Sequence, residues 1–450
     1  MRVKTIETQA WIPGFHREIA WLRRHGTLAA VLVLALVSTA IADSAIPITP
    51  DLPKPQHPLC GRLTEVQGLP VLELWGSPEE AAYAHGFLLA EPIIQLFDKF
   101  VLDPKILPNS AMYEVMLIPS VRRQFVWTQE QEGELRAMLR GLEDRLPEDR
   151  RVSEMLDRPL QIEDLMIGNT LADWFGAMCS TFSVWGDLTP DGRTLTARNL
   201  DFPNTEEMAR MQVVIVRRAW GDHPGWIGIG WPGTIGVYTA MSDRGVTMLM
   251  HDAGGLPPSE NVGFTPRSLI LREALSTARS QSWLEDVKAV FQTRKVLVGN
   301  NIHVSGPRNP GQAPAAVFEY DANQEGEGVT VRTAEANGDG LVDALWCTNH
   351  MRVRKPAVEC RRFGIIEQGL QAARREGTKF TPEKAFELIL EARQSITLHS
   401  VVLEPEIRVM RVSIPAESSK AVEFRLDEWL KHGENGGKSG TKPIQGKDRP

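Results

Sequence analysis

Apolar and polar residues are patterned differently on the two sides of residue 179. Before it, helical spacing dominates; after it, short apolar runs alternate with turn residues. Leu69 to Leu74, with Val71 inside it, predicts a strand. Ser77-Pro78-Glu79-Glu80 then opens a helix. Ser77 can cap it, Pro78 suits a first helical position whose N–H would have no partner, and Glu80 can close a capping box. This helix runs through Ala81, Ala82, Ala84 and His85-Gly86 toward Ile93 and Ile94. Residues 129–145 and 161–176 also read as helices, so the chain up to about residue 178 is mainly helical.

At Cys179 the period changes. Thr181 to Trp185 predicts a strand, Pro190-Asp191-Gly192 a turn and Thr194 to Asn199 a second strand, a hairpin that starts at the cysteine. Further strands are expected at Gln212 to Arg217, Trp226 to Ile229 and Gly245 to Met250. Helices return at Pro266 to Thr277, with Thr265 as cap, and at Trp283 to Phe291. Strands resume at Asn301 to Val304, Ala316 to Tyr320, Val329 to Arg332 and Leu345 to Thr348. Thr381-Pro382-Glu383 opens another helix, and Ser400 to Leu403, Val409 to Val412 and Ala421 to Arg425 close the chain with strands. Helices placed between two runs of hairpins imply an α+β stack of layers rather than alternating βαβ units. No internal repeat is evident.

The ends of the chain read differently. Arg17, Arg23 and Arg24 precede an apolar stretch, Leu28 to Val37, and small residues end in Ala40-Ile41-Ala42, an A-x-A site with cleavage expected before Asp43. Residues 1–42 therefore read as an export signal, giving a periplasmic or secreted protein. Its apolar part is short for a membrane span of ~20 residues, and an uncleaved N-terminal anchor is the rival reading. Pro47, Pro50, Pro53, Pro55 and Pro58 make residues 43–61 a solvated linker. Residues 62–178 form a mainly helical segment, 179–433 a strand-rich segment, and the Gly-, Lys- and Ser-rich 434–450 a disordered tail. The net charge of −7, with no Lys/Arg run interleaved with aromatics, argues against a nucleic-acid partner.

Four cysteines, Cys60, Cys179, Cys347 and Cys360, are too few for a disulfide scaffold in an exported chain and have no zinc-type spacing. Sequence does not decide whether Cys347 and Cys360 pair. A thiol becomes a strong nucleophile when a base or cation lowers its pKa. The surroundings Met178-Cys179-Ser180-Thr181-Phe182 lack the papain-type signature, and His251 or His350 could serve as base only on paper. A cysteine at a chain terminus has another base, its own α-amine, with a reference pKa of ~7.7–8. Cys179 reaches a terminus only if the Met178–Cys179 bond is cut. The plain alternative is inert packing, common for a lone buried cysteine.

Cys179-Ser180-Thr181, Pro190-Asp191-Gly192 and Arg198-Asn199-Leu200-Asp201-Phe202 together resemble the nucleophile hairpin of N-terminal-nucleophile amide hydrolases. The likeness is to the choloylglycine hydrolases and, more closely, to the isopenicillin N acyltransferase-like family. Five further stretches fall in the family's order along the chain. Gly76 to His85-Gly86 is similar to that family's N-terminal helix, and Ile162-Glu163-Asp164-Leu165 to Asn169 to the segment before its nucleophile. Gly236 to Met250 is similar to its glycine-rich second hairpin. Trp346-Cys347-Thr348-Asn349-His350 matches its Thr-Asn-His motif, and Thr397-Leu398-His399-Ser400 its late strand. The resemblance implies a four-layer αββα sandwich with two antiparallel sheets between helical layers.

It also implies roles. Cys179 would attack the Met178 carbonyl, freeing itself as a terminal residue, and then attack an acyl carbonyl to form a thioester. Asn349 would donate to the oxyanion. Asp201, at 201 − 179 = 22 residues beyond the cysteine, would hold the new α-ammonium or orient substrate. Arg198 would steady the thiolate. His251 or Asp252 stands where an oxyanion asparagine is usual, and Met178 where a glycine is. Arg362 would orient the site; Asn301 and Glu319 read as structural hydrogen-bonding residues of paired core strands.

The expected function is therefore a self-processing cysteine amidohydrolase or acyltransferase, acting on a linear amide in a small molecule or short peptide. No cofactor or metal is implied. Twelve tryptophans, Trp174, Trp185, Trp226 and Trp231 among them, could line an apolar acyl pocket, though such residues more often serve the core. Two other readings stay open: a binding protein that kept the fold but not the reaction, and an uncleaved cysteine hydrolase using His251 or His350.

Overall fold

The computed structural model describes residues 46, 53–102, 110–174, 176, 178–202, 206–254, 261–322, 328–337, 341–356, 358–414 and 421–431. The export signal expected over 1–42, much of the 43–61 linker and the 434–450 tail lie outside them. Among the described residues no helix is long and apolar enough to cross a membrane.

Two large sheets carry the chain. The first has nine strands in the order Gly61–Val66, Leu69–Leu74, Val213–Arg217, Trp226–Gly230, Thr239–Ser242, Thr247–Asp252, Asn300–Ser305, Ala315–Tyr320, Val329–Arg332. Leu69–Leu74 pairs parallel with Val213–Arg217, and the remaining pairs are antiparallel. The second has six antiparallel strands in the order Ala344–Cys347, Met178–Gly186, Gly192–Asp201, Thr397–Glu404, Val409–Ser413, Val422–Arg425.

The sheets face each other. Alternate residues such as Val71, Val214 and Ile229 of one pack against Val401, Val412 and Phe424 of the other in one buried cluster. The outer face of the nine-stranded sheet is covered by helices Pro78–Leu88, Gln129–Arg145, Ile162–Trp174, Arg267–Thr277 and Trp283–Thr293. The outer face of the six-stranded sheet is covered by Arg361–Glu376 and Pro382–Glu391. The result is the four-layer αββα arrangement that the sequence resemblance implies.

Local chemistry explains several elements. Glu80 N–H donates to Ser77 Oγ at 3.2 Å and Ser77 N–H to Glu80 Oε2 at 2.8 Å, the capping box read from the sequence. The His85-Gly86 pair has a packing reason: a Cβ at Gly86 would stand 1.9 Å from Met138 O, so only glycine lets the two helices touch there. One expectation needs correction. Thr265 does not cap its helix, which starts after Pro266 without a side-chain cap; the Asp173 carboxylate accepts the Arg267 N–H from a neighbouring helix instead. The segment before Cys179 carries the strand read at Leu69–Leu74, which with Gly61–Val66 forms an edge of the nine-stranded sheet. Helix Arg361–Glu376 was not anticipated.

Candidate active site

Cys179 is the second residue of strand Met178–Gly186 and is fully buried. Antiparallel pairing sets Met178 opposite Asp201, Cys179 opposite Leu200 and Thr181 opposite Arg198. Side chains alternate along a strand, so Cys179, Thr181 and Arg198 face the nine-stranded sheet while Ser180 and Asp201 face the covering helices. The cysteine backbone lies between these two sets.

Arg198 Nη2 donates to Cys179 Sγ at 3.3 Å and to Met250 O at 2.7 Å. Its Nε and Nη1 are buried without a hydrogen-bond partner, and burial pulls its pKa down. A buried cation so poorly paired is a strong preference for an anion at the thiol position. In the intact chain burial still dominates: it pushes the Cys179 thiol up to about 11, against the pull of Arg198.

The main-chain atoms of Cys179 are held from the other side. Its N–H donates to Asn349 Oδ1 at 2.8 Å. Arg362 Nη1 donates to Cys179 O and, at 3.1 Å, to Ser180 Oγ; Nη2 donates to Asn349 Oδ1 at 2.8 Å. Asp201 Oδ2 is 3.4 Å from Arg362 Nη1, and its Oδ1 accepts from Thr397 Oγ1 at 2.5 Å. Burial raises Asp201 to about 6 despite Thr397, Arg362 and Arg198. The structure thus brings together Cys179, Arg198, Asp201, Asn349 and Arg362. Asn349 Nδ2, the group expected at an oxyanion, donates to Asp252 O at 2.7 Å.

Residues set aside as structural turn out to place Asn349. Asn301 Nδ2 donates to Thr348 O and His350 O, each at 2.9 Å. Glu319, paired with Asn301 across the sheet, accepts the N–H groups of Arg352, Val353 and Arg354 at 2.6–3.1 Å. The two side chains pin the loop at both ends. Thr397 was quoted only within a motif, and its bond to Asp201 is visible only in the fold.

The histidines stand elsewhere. His251 donates through Nδ1 to Asn301 O at 3.0 Å, and its Nε2 accepts from Thr181 Oγ1 at 2.7 Å. Burial, with Arg198 nearby, holds its pKa well below the usual value. Both nitrogens are occupied, so neither a base nor an oxyanion donor is available without breaking a bond. The sulfur it approaches is that of Cys347, at 3.7 Å from Nε2. The His350 side chain bonds Cys360 instead. All four cysteines are free thiols, so Cys347 and Cys360 are not paired.

A cavity of about 60 Å³ lies beside the site, bordered by Leu200, the strand partner of Cys179, and by Phe100, Phe202, Trp231 and Met250. Of the four tryptophans singled out, Trp231 borders this cavity, whereas Trp174 and Trp185 sit in packed clusters. One wall is the loop after Trp226–Gly230. Gly233 N–H donates to His85 Nε2 at 3.1 Å, Asn169 Nδ2 donates to Gly233 O at 2.9 Å, and Ile235 N–H donates to Asn169 Oδ1 at 2.8 Å. His85 is held neutral for this, burial lowering it to about 4. The two motifs upstream of the nucleophile therefore converge on one loop.

No family model matches the sequence, and no curated protein does. Among solved structures the chain is similar to a Caenorhabditis elegans orthologue of N-acylethanolamine-hydrolyzing acid amidase, at 16% identity and TM-score 0.39, over 55% of this chain and 99% of that one. It is also similar to a mutant conjugated bile acid hydrolase from Clostridium perfringens, at 12% identity and TM-score 0.39, over 56% and 93%. A third is penicillin V acylase from Agrobacterium tumefaciens, at 10% identity and TM-score 0.34, over 52% and 83%. Values this low carry no conclusion about activity. The layered fold stands on its own sheet order and packing.

Proposed function

We propose that this protein is an exported, self-processing cysteine amidohydrolase or acyltransferase whose nucleophile is Cys179. The observation that carries the reading is the two-sided hold on that residue: Arg198 at Sγ, Asn349 at N–H and Arg362 at the carbonyl oxygen. A cysteine kept only for packing needs none of these.

In the processing step Sγ attacks the Met178 carbonyl carbon, the C–N bond breaks, and the departing nitrogen takes up the thiol proton. Water then hydrolyses the thioester, leaving a Met178 carboxylate and Cys179 with a free α-amine. Asp201, poised near 6 and opposite Met178 on the neighbouring strand, is assigned the relay of that proton. In turnover the α-amine takes the thiol proton, Sγ attacks the substrate carbonyl, and the leaving amine carries the proton away. Water or an acceptor amine releases the acyl group. The Asn349 side-chain amide serves as an oxyanion donor, a contribution worth ~2.7–4 kcal/mol where such donors have been removed. The cavity lining is nearly all hydrocarbon, which suits an uncharged, apolar acyl group. Asp164, which also borders it, is already paired with Arg158 and Tyr113.

The uncleaved, histidine-assisted alternative is disfavoured by the bonds that occupy His251 and His350. Intact-mass analysis tests the proposal. Wild-type protein should yield two chains, residues 43–178 and 179–450, and Cys179→Ala one. A wild-type protein still joined at Met178–Cys179 would refute self-processing.

A further inference from the structure

A second cavity, of about 360 Å³, lies between the nine-stranded sheet and its helices, separated from the first by the loop carrying Thr234 and Ile235. Its size falls within the ~300–1,000 Å³ of small-molecule pockets. Leu74, Ile215 and Trp226 supply an apolar floor, and Ala81 and Ala82 of helix Pro78–Leu88 leave room above it.

The charges around it are mostly spent on one another. Arg272 forks onto Glu134 with both bonds at 2.7 Å, Arg294 onto Glu273 at 2.9 and 2.6 Å, and Arg218 reaches Glu73 at 3.1 Å. Arg217 differs. Its guanidinium donates to two main-chain oxygens, Arg218 O at 2.9 Å and Gly76 O at 2.6 Å, and forms no ion pair among the described residues. The carboxylates that face it are committed: Glu134 to Arg272, and Glu80 to the Ser77 N–H. Burial lowers its pKa to about 10, so its charge is held against a desolvation cost that a bound anion would offset.

We propose that this cavity is a binding site for a small organic monocarboxylate, its carboxylate on Arg217 and its ring-sized apolar body on the Leu74, Ile215 and Trp226 floor. One cation without a carboxylate calls for a single negative charge, and a planar guanidinium suits a carboxylate. The site stands apart from the thiol and does not depend on the reaction proposed for it.

The test is calorimetric titration of the full-length protein with naphthalene-2-carboxylate and, as a neutral match, naphthalene-2-methanol. The carboxylate should bind saturably and at least ~10-fold more tightly than the alcohol, as expected for a charge-assisted bond. Arg217→Met should remove that difference. Hydrogen exchange with the carboxylate bound should show protection at 213–217 and 78–82. Equal binding of acid and alcohol, or protection confined to 164–172 and 200–202 at the first cavity, would overturn the proposal. Both measurements use the wild-type protein and stand even if Arg217→Met fails to fold.

Discussion

Replacing Arg198 by methionine separates a catalytic cation from a structural one. The change removes a positive charge 3.3 Å from Cys179 Sγ and keeps most of the side-chain volume. At that distance and an effective dielectric of ~20, attraction to a thiolate is about 5 kcal/mol, an upper figure before any rearrangement. Close opposite charges shift a pKa by ~1–3 units in practice. The thiol of Arg198→Met should therefore titrate that much higher, cutting the thiolate fraction at pH 7 by ~10- to 1,000-fold. Folding should not suffer in proportion. Nε and Nη1 of Arg198 are buried without partners, and only the bonds to Met250 O and Cys179 Sγ are lost with the charge. Exchanging a poorly paired buried charge for hydrocarbon is often neutral, or stabilising by ~1–4 kcal/mol. Alkylation of Cys179 by iodoacetamide across pH, read by peptide mass, gives the pKa, and a thermal melt gives stability. An unchanged thiol pKa with a lowered melting temperature would make Arg198 scaffold and remove it from the mechanism.

Other perturbations have equally definite outcomes. Glu319→Ala strands the N–H groups of Arg352, Val353 and Arg354, so it should cost ~1–3 kcal/mol in denaturant unfolding and slow Met178–Cys179 cleavage by loosening Asn349; normal cleavage would dissociate that loop from the site. Cys360 and Cys60 are both half-buried, but burial and Glu80 raise Cys60, whereas hydrogen bonds led by His350, aided by Arg362, outweigh burial and lower Cys360 to about 6. Cys360 should therefore react with N-ethylmaleimide faster than Cys60 at pH 7, and equal labelling would contradict the assignment. Stability should fall with acid. His85, His251, His303 and His399 are held neutral by burial, with His85 at about 4 and His303 at about 3. Below pH ~6.5 the unfolded chain gains protons that the folded one refuses. Asp173 and Asp201, raised by burial to about 7 and about 6, act in the opposite sense. The balance, four histidines against two carboxylates, leaves unfolding stability falling by up to ~3 kcal/mol per pH unit between pH ~6 and ~4; a flat urea-midpoint profile there would refute it.

The sequence made the hairpin legible because its signals are local: a cysteine at a change of period, a Pro-Asp-Gly turn, and an apolar run on each side. The Ser77 capping box was legible for the same reason. Helix Arg361–Glu376 could have been read from Ile366, Leu370 and Ala373 at helical spacing and from Gly377, which ends it in the left-handed conformation. What sequence could not give was partnership across the fold. Nothing local to Glu319 shows that it holds the loop of Asn349, 30 residues on by chain count (349 − 319 = 30), or that His85 and Asn169 meet at Gly233. His251 was misleading because a histidine offset from a glycine turn looks the same in sequence whether its nitrogens are open or, as here, both bonded.

The geometry also explains why the intact chain should be a quiet precursor on the proposed mechanism. With Met178 attached, the nitrogen of Cys179 is an amide, which cannot act as a base, and burial keeps the thiol protonated near 11. The same amide is the group that Asn349 holds and Arg362 flanks, so the processing and turnover reactions draw on one scaffold. Cutting the bond converts that amide into an amine with a pKa of ~7.7–8, beside a thiol that Arg198 already favours as an anion. It need not release the upstream segment. Leu69–Leu74, itself paired with Gly61–Val66, remains paired with Val213–Arg217 in the nine-stranded sheet, and Glu134 of helix Gln129–Arg145 stays bonded to Arg272 downstream. His85 and Asn169, both upstream, hold the Gly233 loop that walls the acyl cavity. The upstream chain is thus part of the proposed substrate site, and after the proposed cleavage the two pieces would have to stay together for the cavity to keep its shape.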